Sequence, residues 1–138
     1  MDDNYIFEWF RFGDRDLAVA EHSLSLHPQP YEIICYLCQQ TVEKYLKGYL
    51  FFCGIKPPKT HELDRLCEMC AEHDGRFNEL FEQCETLTVY GTQPRYPYEI
   101  EVNEIHMKKA LVFANQIKNF QPLITVRQEL EQALAQEQ

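Results

Sequence analysis

Two short runs hold the residue types that phosphate and nucleotide chemistry needs. In Lys56-Pro57-Pro58-Lys59-Thr60-His61 a threonine suited to capping a helix is followed by an imidazole and preceded by two lysines. Thr60 at a helix start leaves backbone N–H groups pointing outward; with Lys56, Lys59 and His61 near in sequence, they make a site for an anion. The plainer reading has Thr60 as the cap and His61 half exposed in the first turn, and the two readings are compatible. Arg95-Tyr96-Pro97 lies in a proline-stiffened stretch beside Tyr90 and Tyr98. An arginine among aromatic rings can stack on a base and hold its phosphate, as single-stranded and mononucleotide sites do. Its plainer alternative is an ion pair with the acidic Glu99-Ile100-Glu101 stretch. The candidate nucleotide-binding set is therefore Lys59, Thr60, His61, Tyr90, Arg95 and Tyr96.

Cysteine spacing raises a different chemistry. Cys35-Tyr36-Leu37-Cys38 and Cys67-Glu68-Met69-Cys70 are two C-x-x-C pairs, the outline of a zinc ribbon. The 28 residues between them exceed the usual ribbon gap, and neither pair holds the Gly or Pro that turns a knuckle around a metal. Both pairs fall inside helical patterns, where thiols fill cores, so the reading is buried free thiols, no metal and no cofactor. Lys44 and Lys47, three apart on the second helix, read as a solvated face with a local pair to Glu43.

Composition narrows the frame. With 138 residues, 45% hydrophobic and 25% charged, the chain supports one core. Lys and Arg total 13 against 22 Asp and Glu, a net charge of −9, which excludes a generally basic nucleic-acid coat while leaving a local basic patch open. No run approaches the ~18 apolar residues of a membrane span, and Met1-Asp2-Asp3-Asn4 is acidic where a secretory signal is basic and then apolar. The expectation is a cytoplasmic protein that does not engage membranes.

The elements that must position these residues are helical. Apolar residues recur at helical spacing almost everywhere, and no stretch alternates cleanly in the β manner. The pattern predicts a first helix over 5–26 capped by Asn4, with Phe10, Gly13, Leu17, Ala20 and Leu24 inward. A second spans 31–52, with Gly48 marking the close approach of another backbone. A third runs from His61 to Glu72, a fourth from about Phe77 to Tyr90, and a fifth from about Asn103 to Asn119. After Pro122 a terminal helix continues from Leu123 to about Leu134. Domain organisation follows as one bundle over 1–122 and a C-terminal helix with a frayed tail over 123–138. Trp9, with Tyr5, Phe7, Phe10 and Phe12, makes the first helix apolar on nearly all sides, which implies a second buried face: a dimer or partner-protein contact. The fold class is all-α, a five- or six-helix up-and-down antiparallel bundle.

Four pieces in order give the chain a family likeness. Gln40-Thr41-Val42-Glu43-Lys44-Tyr45-Leu46-Lys47-Gly48-Tyr49-Leu50, then Gly54, then Pro58-Lys59-Thr60-His61-Glu62-Leu63, then Tyr90 followed by Arg95-Tyr96-Pro97, resemble the HEPN domain over about 14–117. The resemblance implies a helical bundle, commonly a homodimer. It further implies either a nucleotide-binding or interaction module or the metal-independent RNase toxin of a toxin–antitoxin pair, often with a nucleotidyltransferase partner. RNase members carry an Arg, four to six intervening residues and a His near the start of the last core helix, a guanidinium for the phosphate charge and an imidazole for proton transfer. Here the His after Arg95 is His106, ten intervening residues away. Arg15 and His22 have six between them but lie in the first helix. The resulting expectation is a domain that binds a nucleotide or nucleotidyl group, with an RNase toxin or a non-catalytic interaction subunit as the alternatives.

Overall fold

A computed structural model of the chain describes residues 2–91 and 101–137. Among these there are six α-helices and no strands: α1 Asp3–His22, α2 Tyr31–Phe52, α3 Leu63–Ala71, α4 Phe81–Thr88, α5 Glu104–Lys118 and α6 Gln121–Gln136. Short 3₁₀ turns, Ser23–Ser25 and Gly75–Leu80, follow α1 and precede α4. None of the described helices is long and apolar enough to cross a membrane.

The second helix is the axis. Ile34, Cys38, Val42, Leu46 and Leu50 are all wholly buried, so α2 meets neighbours on most of its circumference. It packs against α1 and α5. Two glycines make that crossing close. A Cβ on Gly13 of α1 would sit 2.6 Å from the Tyr45 ring, and one on Gly48 of α2 would sit 2.8 Å from the Phe10 ring. What approaches Gly48 is thus an aromatic side chain and the Trp9 Cβ, where the sequence predicts a backbone. Phe10 and Tyr45 stack between the glycines, centroids 6.1 Å apart and planes at 19°.

Several boundaries differ from the sequence expectation, each for a local reason. The N-cap of α1 is Asp2, not Asn4: its Oδ1 accepts from Tyr5 N–H at 2.8 Å, one half-turn earlier. The helix ends at His22, where Ser23 and Ser25 hydroxyls donate to the Val19 and His22 carbonyls and tighten the chain into a 3₁₀ turn. Phe77 and Leu80 lie in the 3₁₀ turn before α4, since a spacing of three suits that geometry as well as the α one. The fifth helix starts as expected, capped by Asn103. The last begins at Gln121, with Pro122 in its first turn where no N–H is needed, and buries Leu123, Val126 and Leu130 in the common core.

One charged cluster fastens this last helix. Asp14 of α1 accepts the Tyr45 hydroxyl at 2.5 Å and pairs with Arg127 of α6, while Lys118 at the end of α5 stands 3.9 Å away. The Arg127 guanidinium also lies 5.5 Å from the ring centres of both Phe10 and Tyr45. Burial, reinforced by the Asp14 carboxylate, pushes the Tyr45 hydroxyl well above its ordinary pKa.

Candidate functional site

Three buried polar residues fall in line along α2 at helical spacing: Gln39, Glu43 and Lys47. Lys47 Nζ stands 3.1 Å from Glu43 Oε2, with only 11% and 8% of the two side chains exposed. Burying such a pair carries a desolvation penalty that the attraction between partners barely offsets, so the arrangement needs a further reason. The second oxygen of Glu43 supplies one. Its Oε1 lies 2.8 Å from His61 Nδ1, and the imidazole side chain is 68% exposed. Gln39 completes the fixture: its Nε2 donates to the His61 carbonyl at 2.9 Å and to Glu43 Oε1 at 3.2 Å, and its own Oε1 accepts from Gln40 at 2.7 Å. With Nδ1 held by the carboxylate, Nε2 is the ring nitrogen left for a ligand.

The residues predicted from sequence divide around this corner. His61 is at its centre, but it precedes α3; the third helix begins at Leu63 with Glu62 as N-cap, two residues later than expected. Thr60 is not the cap. Its Oγ1 accepts from Glu62 N–H at 3.1 Å in a short turn, and the Leu63 N–H donates to Thr88 Oγ1 of α4 at 2.9 Å. Two of the amides expected to face an anion are therefore engaged by hydroxyls, and Glu62 and Asp64 bring negative charge to that tip. Lys59 is exposed, while Lys56 lines a separate cavity of about 380 Å³ with Asp3, Ile6 and Phe52.

From the other side, Tyr90 is buried in the core beside Cys35. The next residue, Gly91, reaches the corner: a Cβ there would sit 3.3 Å from both Gln39 Nε2 and His61 Cβ. The chain therefore leaves α4 against His61 at a position that tolerates no side chain without a shift. Arg95 and Tyr96 lie outside the described residues.

Gln39 and the burial of Lys47 were missed by sequence reasoning. Lys44 and Lys47 do not form a solvated face: Lys47 is enclosed with Glu43, and Lys44 pairs with Asp16 across the α1–α2 contact. The i, i+4, i+8 spacing of Gln39, Glu43 and Lys47 was the available signal, a polar line where the helix has no exposed side to give it.

The remaining imidazoles have other work or none. His106 closes a capping box, its Nδ1 accepting from Asn103 N–H at 3.2 Å while its own N–H donates to Asn103 Oδ1 at 3.0 Å. Arg15 lies over the Phe12 ring at 4.5 Å, and His22 is exposed at the end of α1. The cysteines are free thiols. Burial pushes Cys35 up to about 12, the neighbouring Tyr90 hydroxyl pulling the other way, and burial likewise raises Cys38 and Cys70. Among the described residues no three His, Cys, Asp or Glu side chains group as metal ligands.

Residues 6–124 match the model of the HEPN domain, most of the chain and every helix that builds the corner. The chain belongs to the HEPN domain family. Its fold is also that of a solved structure, an archaeal HEPN homologue, ST0689, with a TM-score of 0.66 and 26% identity over 91% of this chain and 97% of that one. No curated protein matches the sequence. In this HEPN domain, then, the most developed polar arrangement that opens to solvent is an imidazole held on a buried carboxylate at the foot of α3.

Proposed function

We propose that this HEPN domain binds a nucleotide or a nucleotidyl group at the His61 corner, with the phosphate beside the imidazole. The observation that supports it is the pairing of an exposed His61 ring with a buried carboxylate that Lys47 neutralises. A group that only tied the loop to α2 would not need its outer nitrogen in water. Lys47 offsets the charge of Glu43, so the imidazole held on that carboxylate can offer its outer nitrogen to a phosphate oxygen on an otherwise acidic protein. Arg95 follows Gly91 by four residues in the sequence. Its guanidinium and the Tyr96 ring belong to this reading as the base- and phosphate-holding side. A nucleotidyltransferase partner would be the natural source of a nucleotidyl group, in the manner of a toxin–antitoxin pair.

The test is a titration of the full chain with ATP, other mononucleotides and short RNA, with binding and cleavage recorded in the same samples. We expect mononucleotide binding that weakens about tenfold or more in His61→Ala and in Arg95→Ala, with Tm unchanged; tenfold corresponds to about 1.4 kcal/mol of lost contact. Affinity indifferent to both substitutions, or no binding at all, overturns the reading. RNA cleavage that survives replacement of His22, His61 and His106 one at a time excludes each of them as an obligatory acid–base.

A further inference from the structure

Five imidazoles lie at the surface, those of His22, His27, His61, His73 and His106. Among the described residues two of them have a ring nitrogen engaged, and in opposite senses. At His106 the Nδ1 lone pair accepts the Asn103 N–H at 3.2 Å, so in the neutral ring the proton sits on the outer nitrogen, Nε2. At His61 the partner is a carboxylate: Glu43 Oε1 lies 2.8 Å from Nδ1, and Oε2 of the same group faces Lys47 Nζ at 3.1 Å. An ionised carboxylate only accepts, so Nδ1 of His61 carries the proton and the Nε2 lone pair is turned outward. Among the described residues His61 is the one imidazole that meets an acid.

That lone pair is prepared for attack. The imidazole side chain is mostly exposed, which leaves its outer edge open to an electrophile, while the carboxylate beneath it is buried. A buried acid on Nδ1 stabilises the positive charge that the ring acquires when Nε2 forms a bond, the part an orienting acid plays behind a nucleophile. The residue is also held in place. Gln39 Nε2 donates to the His61 carbonyl at 2.9 Å, and Gly91 packs where a Cβ would come within 3.3 Å of the His61 Cβ. Lys47 offsets the charge of Glu43, so the acid that supports the ring does not by itself repel an incoming phosphate. An open corner suits a phosphoryl group, whose charged oxygens stay hydrated after transfer, better than an acyl or alkyl chain, which needs an apolar wall. Lys59, exposed and two residues before His61, adds a cationic side chain near in sequence.

We propose that His61 Nε2 is a covalent phosphoryl acceptor, with Glu43 as the residue that positions it; the proposal rests on the preceding reading for its site. The Nε2 lone pair forms a bond to the phosphorus of a phosphoryl donor, either the terminal phosphate of a nucleoside triphosphate or an acyl phosphate. The bond from that phosphorus to its bridging oxygen breaks, and the electron pair leaves with the nucleoside diphosphate or the carboxylate. The charge gained by the ring rests on Nδ1–H against Glu43 Oε1, so no proton need depart. The product is a phosphohistidine joined through Nε2.

Incubating the full chain with acetyl phosphate, and separately with ATP and Mg²⁺, tests this. An acid-labile, alkali-stable phosphate should appear on His61, assigned to the residue by mass spectrometry and to Nε2 by phosphorus NMR. In the same sample acetyl phosphate should modify His61 about tenfold faster than His22, His27, His73 or His106. His61→Ala removes an exposed ring and should abolish the label. Glu43→Gln should slow His61 about tenfold and leave the rates at the other imidazoles as they were. The comparison among the five imidazoles needs no variant, so it decides even if Glu43→Gln fails to fold. Label from either donor supports the proposal and identifies the source. Label from neither overturns it, as does a His61 rate no faster than the others or one indifferent to Glu43→Gln in a folded protein. Rapid reaction with acetyl phosphate in a chain that binds no mononucleotide overturns the binding reading alone. Mononucleotide binding without an N–P bond overturns the acceptor alone.

Discussion

Two charged clusters are built into this bundle, and they differ in where they end. The Asp14 cluster gathers Tyr45, Lys118 and Arg127 from three other helices, and the faces of Phe10 and Tyr45 cover its guanidinium. Its carboxylate and hydroxyl are answered by other side chains, while Arg127 Nη1 is buried without a partner, and its effect is to hold α6 on α1 and α2. The Glu43 cluster draws on α2 and one loop, and it ends in an imidazole side chain 68% exposed. Buried charge by itself is therefore no mark of function in this fold. What separates the two is a group with an unused donor or acceptor facing water, fixed by a support that does not.

The comparison can be broken by substitution. Asp14→Ala removes the carboxylate from a largely covered Arg127 and should destabilise the domain by ~2–4 kcal/mol, read by urea denaturation, while nucleotide affinity of the folded protein stays as it was. Glu43→Ala leaves Lys47 enclosed without its partner and releases His61. It should lower stability by ~2 kcal/mol and weaken nucleotide binding as well. If it moves stability alone, the two clusters are of one kind. His61→Ala sharpens the contrast from the other side: an exposed ring should change stability by no more than ~0.5 kcal/mol while binding weakens about tenfold.

The smallest effect belongs to a pair in neither cluster. Asp74 is held below its ordinary carboxyl value of 3.8 by hydrogen bonds from the Arg76 side chain and N–H. Its folded-state pKa is depressed, so its stabilisation is present above 3.8 and lost as pH falls through the lower, folded value. Asp74→Asn should flatten the acid limb of a Tm-against-pH profile slightly and leave neutral-pH binding unaltered.

The most legible part of the sequence was α2, whose limits 31–52 follow from an apolar stripe that starts after Pro30 and ends before Gly54. The α5 start was equally plain, because Asn103 carries its own cap. The foot of α3 was not. Thr60 has the right side chain for a cap, yet Leu63 takes its hydroxyl from Thr88, 25 residues away, and nothing local in the sequence announces such a partner. The same distance effect hid the candidate corner. His61 was singled out for an anion site on a helix tip, whereas its geometry comes from Gln39 and Glu43 on another helix. Residue type found the imidazole; only tertiary packing supplies its orientation.

The Thr88 hydroxyl accepts from Leu63 N–H and donates to the Cys84 carbonyl, so one side chain closes the first turn of α3 and the last turn of α4 together. Those two turns should therefore open together in hydrogen exchange. Thr88→Val, which keeps the shape and removes the oxygen, should speed exchange at the Leu63 amide while the centre of α2 keeps its protection, loosening the ground beneath His61 without touching it.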